Sequence, residues 1–188
     1  MPDFIDTYLT QLEEVIHNTS RADITAVVDA LEMAWREGRQ IFLIGNGGSA
    51  ATASHMMNDL CKLTIAPGKP RVRALALTDN VPLMTAWGND AAYDDIFVEP
   101  LLNFMRPGDL VIAISTSGNS PNVVKAVRVA KEHGLKTIGF VGDQGGKLAE
   151  MADLVVRIPS PHIGQQEDGH MILDHVIAGA LRERIRAA

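Results

Sequence analysis

Asp109-Leu110-Val111-Ile112-Ala113-Ile114-Ser115-Thr116-Ser117-Gly118-Asn119-Ser120-Pro121 is the segment whose reading decides the fold. Its first half is an apolar run behind a single acid. Such a run suits a strand buried on both faces, which occurs in parallel sheets covered by helices. After it, Val123, Val124, Val127 and Ala130 recur at three- and four-residue spacing, the period of a helix. Ser120 suits the N-cap of that helix, and Pro121 its first position, where a missing N–H costs nothing. Between strand and helix stand the hydroxyls of Ser115, Thr116, Ser117 and Ser120 with Gly118 among them. A helix N-terminus leaves backbone donors free and carries the positive end of the helix dipole. Hydroxyls beside those donors make a phosphate cradle that needs no lysine. The plainer reading is a well-capped strand-to-helix turn.

The same design occurs nearer the N-terminus. Ile41-Phe42-Leu43-Ile44 reads as a strand, Gly45-Asn46-Gly47-Gly48-Ser49 as its loop, and Ala50 to about Lys62 as a helix. The glycines allow close backbone approach to a ligand. Their spacing is not the G-x-G-x-x-G of dinucleotide sites. Further strands are expected at Val72–Leu77, Thr137–Val141 and Leu154–Ile158, with helical patterns between them. Thr78-Asp79-Asn80 caps one helix, and Gly88-Asn89-Asp90 reads as the turn that ends it. Tyr93 to Met105 reads as helical, broken or kinked at Pro100. Strands alternating with helices predict an α/β fold: a doubly wound, five-stranded parallel sheet. Ligands in such sheets bind at the C-terminal ends of the strands, where both loops lie.

Two amphipathic helices, residues 3–18 and 21–37, precede the first strand, and the second ends at Gly38. They either cover the sheet or present a surface to a partner. His55 and Asp59 lie four apart on one helix face. They suit an acid–base pair, two metal ligands, or a solvated His–Asp hydrogen bond. Asn89 and Asp90 suit sugar hydroxyls or a plain turn. The last helix is read from about residue 167 to 186, with Met171, Ile172, His175, Val176, Ala178, Gly179, Leu181 and Ile185 inward; Glu167, His170 and His175 lie on it. Glu167 and His175 are eight apart, ~12 Å along a continuous helix. For one ion to take both, the helix must start after Glu167 or the two must come from different chains.

The 188 residues are 46% apolar and 21% charged, the composition of a globular protein with a sizeable core. A net charge of −6 argues against nucleic-acid or anionic-membrane partners, which need a basic face. Cys61, the single cysteine, rules out an intrachain disulfide and a cysteine-rich zinc site. No leader pattern and no long apolar run is visible, so a cytoplasmic location is the default expectation.

Gly45-Asn46-Gly47-Gly48-Ser49 and Ser115-Thr116-Ser117-Gly118-Asn119-Ser120 resemble the two signature loops of the sugar isomerase (SIS) domain family. Gly88-Asn89-Asp90 and His170-x4-His175 bring the resemblance closer to its phosphoheptose isomerase branch, over nearly the whole chain. The resemblance implies one SIS domain over residues 1–188, flavodoxin-like and three-layered, with residues 1–38 as an oligomerisation or cover region. It implies a homotetramer with active sites between subunits. It implies aldose–ketose isomerisation of sedoheptulose 7-phosphate to D-glycero-D-manno-heptose 7-phosphate through an enediol. The alternative is a non-catalytic SIS protein that binds a phosphosugar or associates with a replication initiator. Asn46, Gly47, Gly48, Ser49, Asn89, Asp90, Ser115, Thr116, Ser117, Ser120 and Glu167 are implied as substrate contacts. Asp59 is implied as base and His175 as acid, with His55, Asp59, Glu167 and His175 as ligands of one zinc per subunit. Asp59 stands where the family has a glutamate, and Glu167 where it has a glutamine.

Overall fold

The two apolar runs lie side by side at the centre of one sheet. The computed structural model describes residues 3–188. In chain order it contains α1 (Phe4–Asn18), α2 (Arg21–Arg36), β1 (Gln40–Gly45), α3 (Gly48–Asn58), β2 (Arg73–Ala76), α4 (Val81–Asp90), α5 (Val98–Phe104), β3 (Leu110–Ser115), α6 (Pro121–Glu132), β4 (Lys136–Val141), α7 (Gly146–Met151), β5 (Leu154–Arg157) and α8 (Ile163–Ala187). All strand pairs are parallel, in the spatial order β2-β1-β3-β4-β5. This is the flavodoxin-like order, whose direction of winding reverses between β1 and β3. Ile41 pairs with Leu110 and Gly45 with Ile114, so the β1 and β3 loops leave the sheet at the same level.

Alternate side chains point to opposite faces of each strand. Ile41, Leu43, Ile112, Ile114, Ile138 and Phe140 pack on one face against α2, α3 and α8. Phe42, Ile44, Val111, Ala113 and Val141 pack on the other against α5, α6 and α7. The two leading helices differ in burial. α2 covers the sheet, burying Val27, Leu31, Ala34 and Trp35. α1 buries only Val15 and leaves Phe4, Ile5 and Leu9 54–69% exposed. It is tied to α8 by Tyr8, whose hydroxyl donates to Asp168 over 2.6 Å.

Several boundaries differ from the sequence reading. α3 starts at Gly48 and not Ala50, and its tail widens into a π-turn at Asp59–Leu63 that holds the half-buried Cys61. Asn80 caps α4 as expected, but the helix runs on through Asn89 and Asp90. Pro100 does not break a helix: it lies in the first turn of α5, where its missing N–H is not needed. Ser120 occupies the N-cap position of α6, yet its hydroxyl makes no cap bond and faces Ser115 instead. α8 starts at Ile163, four residues early, because His162 caps it by accepting from the Gly164 N–H. Its inward face is Gln166, Gly169, His170, Leu173, Asp174, Ile177, Leu181 and Ile185, whereas His175 and Val176 face solvent.

Asp109 links the two central strands at their N-terminal ends. Its carboxylate accepts from the Gln40 N–H at 2.9 Å and the Arg106 N–H at 2.8 Å, and it is 5% exposed. Asp109→Ala removes both acceptors and is expected to cost about 2–3 kcal/mol. That is a fall of roughly 5–10 °C in Tm, read by thermal denaturation.

Candidate active site and metal cluster

The β1 loop turns sharply into α3. Gly47 takes φ +54°, and a β-carbon at Gly45 would press on the Ser49 backbone. Asn46 then crosses the switch point. Its Nδ2 donates to Asn122 Oδ1 at 2.9 Å, and Asn122 Nδ2 returns a bond to Asn46 Oδ1 at 2.8 Å. This reciprocal amide pair ties the β1 loop to the first turn of α6, and Asn122 is almost wholly buried. Tyr93 adds a third contact, its hydroxyl 3.3 Å from Asn46 Oδ1.

The serine loop is held from behind. Gly118 has φ +62°, and its carbonyl accepts from the Leu148 N–H at 2.9 Å. The Thr116 carbonyl accepts from the Gly142 N–H at 2.9 Å. Asn119 bonds the Ser117 carbonyl through Nδ2 at 2.9 Å and accepts from the Lys147 N–H at 3.1 Å. With these atoms engaged, the hydroxyls of Ser115 and Ser120 meet 3.2 Å apart, and Ser117 is exposed. Hydroxyls gathered at the start of α6 suit an anionic group.

A polar cluster lies where α3 packs on α8. His55 Nε2 is 3.2 Å from His175 Nε2, 3.8 Å from Asp59 Oδ2 and 3.9 Å from Asp174 Oδ2. One donor atom from each of His55, Asp59, Asp174 and His175 lies within 4.8 Å of the others. Asp174 is fully buried, and neither of its oxygens has a hydrogen-bond partner among the described residues. Burial, and then the charge of Asp59, push its carboxyl up to about 7. Two imidazoles and two carboxylates at this spacing fit a zinc-sized divalent ion.

Three of the four metal ligands named from the sequence thus come together. Glu167 is not among the four that converge. α8 is continuous through Glu167 and His175, so the axial rise between them separates their side chains. Glu167 reaches the N-terminus of α3 instead, where a β-carbon on Gly48 would collide with its carboxylate. Asn89 and Asp90 are exposed at the end of α4 and bond each other at 2.7 Å; no hydrogen bond among the described residues joins them to either loop. Asn46, Gly47, Gly48 and Ser49 lie together on the β1 side of the crevice, and Ser115, Thr116, Ser117 and Ser120 on the β3 side.

The SIS domain pattern matches residues 3–142, three quarters of the chain. The chain belongs to the SIS domain family. It is 39% identical to the phosphoheptose isomerase of Rhodospirillum rubrum, over 87% of this chain and 85% of that protein. It is 36% identical to the phosphoheptose isomerase of Burkholderia pseudomallei, over 87% of this chain and 83% of that one. Among solved structures, a phosphoheptose isomerase from Francisella tularensis superposes with a TM-score of 0.89 at 27% identity, covering 95% of this chain and 96% of that one.

Two groups in this SIS chain escaped the sequence reading. Asn122 follows the Ser-Pro start of α6, where an asparagine reads as one more first-turn residue. Asp174 lies four after His170 and seven before Leu181, on the stripe that is buried. The signal was present: a stripe of His170, Leu173, Asp174, Ile177 and Leu181 has the helical period and contains a carboxylate.

His170 lies on the same stripe, 1% exposed, with its ring 6.3 Å from that of Phe140. Neither ring nitrogen makes a hydrogen bond of ordinary geometry. Burial pushes the imidazole down to about 4, against a partial opposing pull from the Val141 backbone. The folded chain therefore holds His170 neutral, while the unfolded chain takes up a proton below about 6.5. Stability from this group is complete above that pH and is lost as pH falls toward 4, on the order of 3 kcal/mol in all. With chelator present, His170→Leu is expected to show a smaller fall in Tm between pH 7 and pH 4.5 than the parent. Equal falls would show that His170 does not titrate in this way.

Proposed function

We propose that this chain interconverts sedoheptulose 7-phosphate and D-glycero-D-manno-heptose 7-phosphate, as an aldose–ketose isomerase acting in the crevice between β1 and β3. The observation that carries the reading is the carboxylate–imidazole cluster on α3 and α8, with α3 leading to it from the glycine loop that walls the crevice. The names of its relatives support the same reaction. Ser115, Thr116, Ser117 and Ser120 hold the phosphate at the α6 N-terminus. Asn46, Gly47, Gly48, Ser49 and Glu167 meet the sugar near the α3 N-terminus, and Asn89 and Asp90 meet it from the end of α4.

The open-chain ketose loses a proton from C1 to Asp59, and the electron pair forms an enediolate across C1 and C2. Asp59 returns that proton to C2, and His175 moves the hydroxyl proton between O1 and O2, leaving an aldehyde at C1 with no net change in atoms. A zinc ion held by His55, Asp59 and His175 would polarise the sugar oxygens or fix the site's geometry. The whole chain acts as one SIS unit. The exposed apolar face of α1 supports assembly into a homotetramer, with that helix as contact surface. No helix among the described residues is long and apolar enough to cross a membrane, which is compatible with work in the cytoplasm on a soluble sugar phosphate.

Purified protein mixed with sedoheptulose 7-phosphate is expected to yield the heptose 7-phosphate. Asp59→Asn should lower turnover about 100-fold or more while phosphosugar binding survives. Turnover equal to the parent would remove Asp59 from the role of base. A parent that binds the phosphosugar without turnover would favour the regulatory SIS reading. Ser117→Ala and Ser120→Ala should raise KM more than they lower kcat, since phosphate contacts hold ground and transition states alike. Light scattering is expected to give a four-chain mass for the parent and a smaller species for Leu9→Glu.

A further inference from the structure

Asp174 poses a problem that the isomerase reading does not solve. A fully buried carboxylate needs a donor, a proton or a cation. No N–H or O–H serves it among the described residues, and a second carboxylate, Asp59, shares its cluster. His55 is the closest cationic candidate, but its Nε2 at 3.9 Å is too far for a hydrogen bond and faces Asp59 and His175 as well. The arrangement is therefore short of positive charge at one point, the centre of the four donor atoms.

We propose that Asp174, and not Glu167, is the fourth protein ligand of a divalent metal ion held with His55, Asp59 and His175 within a single chain. A tetrahedral zinc ion with bonds of about 2.0–2.1 Å holds its donors about 3.3–3.5 Å apart. The separations from His55 Nε2 are 3.2, 3.8 and 3.9 Å, and all four donors lie within 4.8 Å of one another, so side-chain rotations close the shell. Asp174 and His175 are neighbours on α8, one turned to the core and one to solvent. The ion position falls on the boundary between them, opposite His55 and Asp59 on α3 and its π-turn. Two carboxylates balance the charge of the ion, and two imidazoles complete a donor set typical of zinc. Glu167 is thereby left free at the α3 N-terminus. A shell filled by four protein donors from one chain is closed, the arrangement of ions that fix geometry more than they activate water. The ion then clamps α3 to α8 and sets where Asp59 and His175 stand.

The proposal deepens, and rests on, the reading that His55, Asp59 and His175 hold a metal. It is tested on the full chain by metal binding alone, without substrate, so that its failure and failure of the isomerase reading are seen separately. After chelator treatment, zinc is titrated against a competing chromophoric chelator, and Tm is recorded with and without zinc. The parent is expected to take up one zinc per chain and to gain Tm. Asp174→Asn, which keeps the shape, should weaken zinc affinity at least about 100-fold and abolish the gain. Glu167→Gln should stay within about threefold of the parent. Asp174→Cys, loaded with cobalt, should show a thiolate-to-metal charge-transfer band, which appears only when residue 174 touches the ion. Zinc affinity kept in Asp174→Asn but lost in Glu167→Gln, or a folded Asp174→Cys that binds cobalt without that band, would overturn the assignment. So would a parent that takes up no zinc at neutral pH, with Asp174 then held neutral by a proton.

Discussion

The parallel pairing of β1 with β3 is the constraint on which the site depends. The helix after β1 packs on one face of the sheet and the helix after β3 on the other. Two chains leaving adjacent strands at the same level in opposite directions open a crevice that neither fills. Gly45-Asn46-Gly47-Gly48-Ser49 and Ser115–Ser120 are its walls. The Asn46–Asn122 amide pair sets how far apart they stand. Because each amide serves the other as donor and acceptor, the link is specific in geometry and leaves no unmet polar group there.

The contact of α3 with α8 adds chemistry to this geometry. Most of it is apolar, from Met56, Leu60, Leu173 and Ile177, and supplies the packing energy. At its solvent edge the packing gives way to two imidazoles and two carboxylates. Burying Asp174 beside Asp59 works against stability in the absence of a counter-charge, so the fold stores at this edge a preference for a proton or a cation. Asp59 and Asp174 fall in one cluster with His55 and His175.

α1 stands apart from both. It makes few buried apolar contacts, yet Tyr8 is anchored to Asp168, one residue from Glu167. That hydrogen bond, with burial and the charges of Asp168 and Glu167, pushes the Tyr8 hydroxyl up to about 12, so it remains a donor at any working pH. Tyr8 thus joins α1 to the end of α8 that carries Glu167.

The sequence by itself determined the sheet and the two loops that leave β1 and β3. These follow from local signals: buried runs bounded by glycine, serine and proline, with a strand period on one side and a helix period on the other. His55 and Asp59 were legible as a pair because four-residue spacing fixes a shared helix face. Tertiary structure alone decided which face of α8 turns inward. That helix carries apolar residues on more than one side, so its periodicity admits more than one buried stripe, and Met171, Ile172 and Val176 suggested the wrong one. The orientation was settled by the shape of the sheet face and of α2 and α3, which are contacts distant in sequence. The early start of α8, the separation of Glu167 from His175 and the burial of Asp174 follow from that choice, because a helix rotated about its axis changes the position of every side chain it carries.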